Sequence, residues 1–308
     1  MSSLQTGTVF RSTGSWYEVK MPEGHFLPCK LKGNFKIKGL RTTNPLAVGD
    51  VVDLKLLPDN KTGLIVHIHE RDNYIIRKAT KLSKATHIIA ANIDQMVLIA
   101  SLEKPRTSTG FIDRLLVTAE AYHIPVTIVF NKFDLYGELV KENLEIIMKA
   151  YQDAAYTCLA TSVITDMGVE AFNNLLKDKV SLLSGHSGVG KSALINKVDA
   201  KLNLKEGEIS TVHLKGKHTT TFAEMFPLAF GGFIIDTPGI KEFGLVGFDK
   251  MELGQRFPEI RQRMDGCRFN NCLHVNEPGC AVLQAVQEGE IPAFRYQNYL
   301  NMLSDIDV

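Results

Sequence analysis

Long apolar runs and abundant cysteine are both missing from this sequence. No apolar run approaches the ~18 residues that a membrane-spanning helix requires, so we expect no membrane partner. Residues 1–14 lack a basic start followed by an apolar stretch, which argues against a secretory signal and predicts a cytoplasmic protein. Five of the 308 residues are cysteine, an odd number that does not suit a disulfide framework. Membrane, collagen-like, disordered and disulfide-framework classes are therefore disfavoured.

The composition is that of an ordinary globular protein, but the charge is unevenly distributed. Apolar residues make up 44% of the chain and charged residues 22%, which is enough for a sizeable core, and 308 residues predict two or three domains. The net charge is +1 overall, yet residues 1–84 carry +7 and residues 85–308 carry −6. The basic N-terminal part either contacts an anion such as nucleic acid or forms a solvated basic surface.

Hydrophobic periodicity changes along the chain and divides it into parts. Short alternating runs separated by turns within residues 1–70 predict a small β-barrel, and residues 71–93 suggest a linker. From residue 94, buried strands alternate with helical patterns, which predicts a parallel sheet covered on both faces. A hairpin around Gly231-Gly232 is expected to end at Ile235. Residues 242–308 form a polar tail with some helical pattern and few large apolar side chains.

A glycine-rich segment at residues 185–192 has the spacing of a phosphate-binding loop. The letters GHSGVGKS fit G-x-x-x-x-G-K-[ST], and they follow a predicted strand and precede a predicted helix, as the motif requires. Backbone N–H groups would surround phosphate oxygens, Lys191 would face the β- and γ-phosphates, and Ser192 would bind Mg²⁺. The predicted nucleotide contacts are Gly185, His186, Ser187, Gly188, Val189, Gly190, Lys191, Ser192 and Ala193. This loop alone separates neither ATP from GTP nor a kinase from a hydrolase.

The tetrapeptide NKFD at residues 131–134 directly follows an apolar strand and resembles the guanine-binding motif of GTPases. Asp134 can accept hydrogen bonds from guanine N1–H and the exocyclic amine, whereas adenine has a lone pair at N1 and no amine at C2. A site of this kind can reject the wrong base by ~10⁴-fold. Lys132 would lie over the purine plane, and Asn131 would tie this loop to the phosphate-binding loop. Thr161-Ser162-Val163 resembles the second base-contacting loop of GTPases, in which a backbone N–H meets guanine O6, and the alternative is a plain strand-to-helix turn.

Two further segments resemble the switches of GTPases. In DTPG at residues 236–239, Asp236 would hold Mg²⁺ through water and the Gly239 N–H would contact the γ-phosphate. One threonine within Thr219–Thr221 would meet Mg²⁺ and the γ-phosphate when its loop closes, and we select Thr220.

The residue after Gly239 bears on the mechanism of hydrolysis. Ile240 stands where many GTPases have a glutamine that orients the attacking water, and its side chain forms no hydrogen bond. Intrinsic hydrolysis should therefore be slow. His218 is the nearest group that could accept a hydrogen bond from water, unless it is an exposed loop histidine.

Three of the five cysteines lie within 14 residues of one another, with a histidine among them. Cys267, Cys272, His274 and Cys280 offer three thiolates and one imidazole, which suits a tetrahedral Zn²⁺ with no open position. Four protein ligands leave no place for a reactive water, so the site is predicted to be structural. In a segment with few large apolar residues, the metal can replace a core and contribute of order 10 kcal/mol.

A run without acidic residues at 30–41 provides candidate contacts to RNA phosphates. The predicted contacts are Lys30, Lys32, Lys36, Lys38 and Arg41. Phe35 lies among them and could stack on a base, although a place in the core is the alternative.

The order of these motifs resembles that of the RsgA (YjeQ) family of GTPases: NKFD, GHSGVGKS, HTTT, DTPGI and then C-x₄-C-x-H-x₅-C. NKFD precedes the phosphate-binding loop, the reverse of the ordinary order, so the sheet is circularly permuted. The resemblance implies a multidomain α/β protein with an OB-type β-barrel at residues 1–70, a circularly permuted P-loop GTPase domain at 71–241 and a small, mostly helical zinc-binding domain at 242–308. It implies slow GTP hydrolysis that the small (30S) ribosomal subunit stimulates, a role in late maturation of that subunit, release of another assembly factor, and catalysis by His218.

We therefore predict a monomeric GTPase of small-subunit maturation that uses GTP, Mg²⁺ and one structural Zn²⁺, with Lys191, Thr220 and His218 in hydrolysis. Its partners are the small subunit and its rRNA. One alternative is a GTP-gated RNA-binding module in which hydrolysis is incidental. Another is a free-standing nucleotide hydrolase or kinase acting on small molecules, against which the slow intrinsic rate and the two flanking binding domains argue.

Overall fold

A computed structural model describes residues 4–32, 45–58, 61–78, 86–204, 223–236 and 249–306. Several predicted site residues lie outside these ranges: Lys36, Lys38, Arg41, His218, Thr220 and Gly239. Phe35, Thr219, Thr221 and Ile240 also lie outside them. Among the described helices, none combines the length and apolar character needed to cross a bilayer.

The N-terminal part forms the predicted barrel from five strands. These are β1 (Gln5–Ser12), β2 (Tyr17–Lys20), β3 (Phe26–Leu31), β4 (Val51–Leu56) and β5 (Gly63–Ile68). They pair in the order β1-β2-β3-β5-β4, and β4 returns to pair with β1, which closes the barrel. Alternate residues such as Val19, Val52 and Ile65 fill the interior. A Cβ on Gly63 would lie 2.5 Å from Cys29 Sγ, so this close approach of β3 and β5 requires glycine.

The segment expected to be a linker contains a hairpin instead. Strands β6 (Tyr74–Lys78) and β7 (Thr86–Ala91) pair antiparallel as a two-stranded sheet. Ile75 and Ala90 are fully buried in the same apolar cluster as the neighbouring GTPase-domain strands. The linker prediction was wrong because several lysines between residues 78 and 84 of the sequence interrupt the short apolar alternation on either side.

The middle of the chain forms a sheet with helices on both faces, as predicted. Its strands are β8 (Gln95–Ala100), β9 (Val126–Phe130), β10 (Thr157–Ala160), β11 (Val180–Ser184), β12 (Glu224–Pro227) and β13 (Phe233–Asp236). Its helices are α1 (Thr109–Ala121), α2 (Glu138–Asp153), α3 (Val169–Leu176) and α4 (Lys191–Val198). The strand order is β10-β9-β8-β11-β13-β12, in which only β12 runs antiparallel. One apolar cluster packs α1 and α2 against the sheet, and another packs α3 and α4.

The barrel and this sheet share one continuous ladder of strands. β12 meets β1 through a single pair, Arg11 opposite Glu224, and the two side chains approach to 3.7 Å. The result is an eleven-stranded sheet that runs from the barrel to the edge strand β10.

The C-terminal part is helical, with α5 (Lys250–Gln255), α6 (Pro258–Arg261), α7 (Ala281–Gln287) and α8 (Ala293–Asp305). The expectation that this part has few large apolar residues was wrong. Its buried cluster includes Leu253, Phe257, Ile260, Val282, Ile291, Tyr299, Met302 and Leu303. These residues are spaced between polar ones on the helices and in the turns that connect them, so the sequence shows no apolar run although the packed helices bring them together.

A buried ionic network fastens this helical part to the GTPase sheet. The guanidinium of Arg295 on α8 donates to both carboxylate oxygens of Glu259 at 2.7 and 3.1 Å and also to Asp113 on α1. Tyr151 and Asn298 donate to the same Asp113 carboxylate at 2.8 and 2.6 Å. Burial alone would lower the pKa of Arg295, but Asp113 and Glu259 raise it well above its ordinary value. Arg295 therefore stays charged between two buried carboxylates.

Replacing Arg295 by methionine should lower the free energy of unfolding by about 3–5 kcal/mol, because two buried carboxylates lose their counter-ion. Chemical denaturation measures the change. The control is Arg263→Met, which breaks a partly exposed pair with Glu290 and should cost less than about 1 kcal/mol. Equal losses for the two variants would show that the buried network contributes no more to the free energy of unfolding than a partly exposed ion pair does.

Candidate nucleotide site and zinc centre

Two predicted loops and the first residue of a third predicted segment, Asp236, meet at the carboxyl-terminal edge of the parallel sheet. Residues 185–192 (the phosphate loop) follow β11, residues 131–134 (the base loop) follow β9, and Asp236 ends β13. Leu183 pairs with Asp236 across β11 and β13, so the last residue of β13 lies beside the start of the phosphate loop. Open parallel sheets bind ligands at this edge.

The phosphate loop has a backbone that requires glycine at two points. Gly185 has a φ of 141°, and a Cβ there would lie 2.1 Å from the carbonyl oxygen of Ile99. Gly190 has a φ of 94°, and a Cβ there would lie 2.4 Å from Nδ2 of Asn131. Both glycines let the loop pass closely over neighbouring groups, and α4 then begins at Lys191.

The Lys191 ammonium is held inside the phosphate loop. The side chain is buried, and Nζ donates to the carbonyl oxygens of Gly185 and His186 at 2.8 and 2.7 Å. Phosphate oxygens could replace these carbonyls as acceptors without moving the ammonium out of the loop. Ser192 and Asp236 are also buried. Their hydroxyl and carboxylate oxygens are the kind of ligand atom that Mg²⁺ prefers.

Asn131 connects the base loop to the phosphate loop. Its Nδ2 donates to the carbonyl oxygen of Val189 at 2.9 Å, and its Oδ1 accepts from Thr161 Oγ1 at 3.1 Å. Asn131 is 1% exposed, and these two hydrogen bonds satisfy both polar atoms of its buried amide. The two loops, 58 residues apart in sequence, are thereby held in one geometry.

The carboxylate of Asp134 is exposed and oriented by a neighbouring loop. Ser162 Oγ donates to Asp134 Oδ1 at 2.5 Å. The backbone N–H of Ser162 donates to the carbonyl oxygen of Met167 at 2.9 Å. Lys132 adopts a left-handed φ of 67° and its Nζ donates to the carbonyl oxygen of Lys104 at 2.5 Å.

Two aromatic residues support these loops and were missed by the sequence analysis. The buried Tyr136 hydroxyl donates to the carbonyl oxygen of Asn131 at 2.7 Å and accepts from the Leu102 N–H at 2.8 Å. Phe111 at the start of α1 stacks on His186, with ring centroids 3.8 Å apart. Neither residue belongs to a motif, and only the fold shows what each one touches.

The predicted zinc ligands converge at the C-terminal helices. Cys267 Sγ lies 3.8 Å from Cys280 Sγ, and His274 Nδ1 lies 3.6 and 3.4 Å from these two sulfurs. With Cys272, all four donor atoms lie within 4.8 Å of one another. Zinc bonds of ~2.3 Å to sulfur and ~2.0 Å to nitrogen in a tetrahedron place the ligands about 3.5–3.8 Å apart. The donor set and its spacing therefore fit Zn²⁺.

Hydrogen bonds from neighbouring side chains to the backbone hold the ligand segment in place. Tyr296 and Tyr299 on α8 donate to the carbonyl oxygens of His274 and Leu273, each at 2.7 Å. The Glu277 carboxylate accepts from several backbone N–H groups of the segment, which lowers its pKa to about 2 despite the opposing effect of burial. Nε2 of His274 is buried with no hydrogen-bond partner among the described residues, whereas Nδ1 faces the sulfurs.

Two of the predicted RNA contacts lie on the barrel. Lys30 is exposed on β3, and its ammonium lies 4.3 Å from the ring centroid of Trp16. Lys32 follows the end of β3 and is also exposed. This face presents cations and an aromatic ring, a combination that suits phosphates and bases.

Two family models match the chain. The model described as RsgA GTPase matches residues 68–246, and the model described as RsgA N-terminal domain matches residues 6–65. The chain belongs to the RsgA GTPase family. Two RsgA proteins named small ribosomal subunit biogenesis GTPase are close relatives. The one from Flavobacterium psychrophilum is 49% identical over 98% of this chain and 93% of its own length, and the one from Bacteroides fragilis is 50% identical over 97% and 96%.

Solved structures of related proteins share the fold. YjeQ from Thermotoga maritima superposes with a TM-score of 0.79 at 32% identity and covers 98% of both chains. YloQ, described as a circularly permuted GTPase, superposes with a TM-score of 0.75 at 27% identity and covers 99% of this chain and 96% of its own. The predicted fold class, a barrel followed by a permuted GTPase domain of the RsgA family, is confirmed.

Proposed function

We propose that this GTPase binds the small (30S) ribosomal subunit and assists its late maturation, and that the subunit stimulates its slow intrinsic hydrolysis of GTP. The names of its relatives support the biological role. The chain's own geometry supports the chemistry.

The hydrogen bond from Asn131 to Val189 is the observation that carries the proposal. It joins a loop suited to guanine with a loop suited to phosphates, although the chain meets them in reversed order. One GTP molecule would lie across both loops, with its base at Asp134 and its phosphates over Lys191. Ser162 orients the Asp134 carboxylate toward a donor pair that guanine has and adenine lacks.

Hydrolysis requires a water oxygen to bond to the γ-phosphorus while the bond to the β–γ bridging oxygen breaks, which yields GDP and phosphate. Lys191 would stabilise the negative charge on the β- and γ-phosphates, and the phosphate loop N–H groups would hold their oxygens. Ser192, Asp236 and Thr220 would hold Mg²⁺, which neutralises phosphate charge when it is bound.

The attacking water needs a hydrogen-bond acceptor. Ile240 offers none, so we assign this role to His218, with the Gly239 N–H on the γ-phosphate. Binding of the ribosomal subunit would set the position of these groups and so control the rate. This accounts for slow hydrolysis without a partner.

The flanking parts would supply the contacts to RNA. We assign residues 1–70 to the barrel, 71–241 to the GTPase domain and 242–308 to the zinc domain. Lys30, Lys32, Lys36, Lys38 and Arg41 would contact rRNA phosphates, and one structural Zn²⁺ would hold Cys267, Cys272, His274 and Cys280 together. The protein would act in the cytoplasm as a monomer, and hydrolysis would release it and help to release another assembly factor.

Turnover of GTP and ATP with and without purified small subunits tests the proposal. We expect GTP to be hydrolysed in preference to ATP, and the subunit to raise the rate of GTP turnover at least about tenfold. Lys191→Ala should abolish both rates, and Lys197→Ala, an exposed lysine on the same helix, serves as the control. An unchanged rate with subunits present would refute the ribosomal role but leave the nucleotide site intact. Release of the protein from subunits with a non-hydrolysable GTP analogue would favour the alternative in which hydrolysis is incidental.

A further inference from the structure

The barrel carries a cluster of metal-ligating side chains far in sequence from the zinc centre. Asp53 on β4, His67 on β5 and His69 just after β5 each offer one donor atom, and the three atoms lie within 4.8 Å of one another. Within the described ranges, this cluster and the cysteine cluster are the two groups of at least three such residues. Neither the nucleotide site nor the RNA contacts use it.

Strand register brings the three side chains together. Asp53 lies directly opposite Thr6 on β1 and directly opposite His67 on β5. The neighbours of Asp53 on β4, Val52 and Leu54, point into the barrel, so Asp53 and its cross-strand partners point outward. His69 is two residues beyond His67 and so returns to the same face.

The donor atoms of Asp53 and His69 lie at a separation that adjacent ligands of one ion can adopt, and that of His67 lies within 4.8 Å of both. His69 Nε2 lies 2.9 Å from Asp53 Oδ1, and the rings of His67 and His69 are 5.2 Å apart. Two ligands on bonds of ~2.1 Å at right angles lie about 3 Å apart. Thr6 Oγ1 donates to the same carboxylate oxygen at 2.7 Å and so orients it, as the outer hydrogen bonds of metal sites do.

The donor set selects a class of ion. Two imidazoles and one carboxylate suit Zn²⁺, Ni²⁺ or Fe²⁺, whereas Mg²⁺ prefers oxygen ligands throughout. The Asp53 side chain is 20% exposed and that of His69 is 42% exposed, so the remaining coordination positions would open to water. Such an ion would also link β4 to β5 and, through Thr6, support β1.

We propose that Asp53, His67 and His69 form a second, solvent-accessible binding site for a divalent transition-metal ion on the barrel. The competing explanation is a surface hydrogen bond between His69 and Asp53 that binds no metal. The two explanations predict different metal stoichiometries for the full-length protein.

The test is calorimetric titration of Zn²⁺ into the full-length protein that already carries one equivalent of zinc, at neutral pH. We expect the wild type to take up a second equivalent, and His67→Ala combined with His69→Ala to weaken this second step at least about a hundredfold. Asp53→Asn, which keeps the shape of the side chain, should weaken it at least about tenfold. The control is His25→Ala, another exposed histidine of the barrel, whose ring lies 4.0 Å from Glu23, and it should leave the second step unchanged.

Circular dichroism would establish that the exposed histidines can be replaced without unfolding the barrel. A titration with Mg²⁺ should show no binding that depends on these residues. The proposal is overturned if the wild type takes up no second zinc, if the double variant binds it as tightly as the wild type, or if His25→Ala weakens it equally.

Discussion

Replacing Asp134 by alanine is expected to lower the preference for GTP over ATP by about a hundredfold to ten-thousandfold. The carboxylate can accept two charge-assisted hydrogen bonds from guanine, each contributing ~1.5–3 kcal/mol, and each 1.4 kcal/mol is about tenfold in affinity. The variant lacks both hydrogen bonds to guanine, which weakens the binding of GTP. It also lacks the carboxylate that would face the lone pair of adenine N1, so the binding of ATP is no longer opposed. Competition calorimetry with the two nucleotides measures the ratio.

Two further variants show whether this effect belongs to the base loop. Asp153→Ala removes an exposed carboxylate at the end of α2 and should leave the ratio unchanged. Ser162→Ala removes the hydroxyl that orients Asp134 at 2.5 Å, and we expect an intermediate loss. A ratio that survives Asp134→Ala would mean that the base is recognised elsewhere, and the proposed placement of GTP would be wrong.

Removing zinc, or replacing Cys280 by serine, is expected to unfold the segment at residues 267–280 and to destabilise the C-terminal helices. Structural zinc sites contribute of order 10 kcal/mol of apparent binding energy, comparable to the stability of a whole domain. Without the metal, burial raises the pKa of Cys272 to about 12, so its thiol is neutral and no cation holds the ligands together. Limited proteolysis and thermal unfolding after chelation measure the loss.

The apolar core of the C-terminal part limits how far this unfolding spreads. Phe257, Ile260 and Met302 are buried away from the solvent and would still pack without metal, so α8 should retain more protection from proteolysis than the ligand segment. Cys158→Ser, a cysteine on β10 outside the cluster, is the matched control and should leave the response to chelator unchanged. Full protection of residues 267–280 after complete removal of zinc would contradict a structural metal.

Patterns confined to short stretches of sequence predicted the family and the fold class correctly. The phosphate loop, the base loop and the cysteine cluster each depend on a fixed spacing within about a dozen residues, because the local backbone determines which groups converge. The predictions of a linker at residues 71–93 and of a C-terminal part with few large apolar residues were wrong, because both structures depend on contacts between residues far apart in the chain. The β6–β7 hairpin owes its strands to burial of Ile75 and Ala90 against other elements, and the C-terminal core is assembled from apolar residues scattered over four helices.

The sequence by itself determined which motifs the chain carries, their order along it and the family to which it belongs, since these depend on residue type and spacing alone. Tertiary structure decided which further residues support these loops, as Tyr136 and Phe111 do, and which charges are buried together, as Arg295 and Asp113 are. It also placed Asp53 opposite His67, because strand register is set by the whole barrel and not by either strand. Contacts between residues far apart in the chain follow from the packing of all elements at once, and short-range spacing carries no information about them.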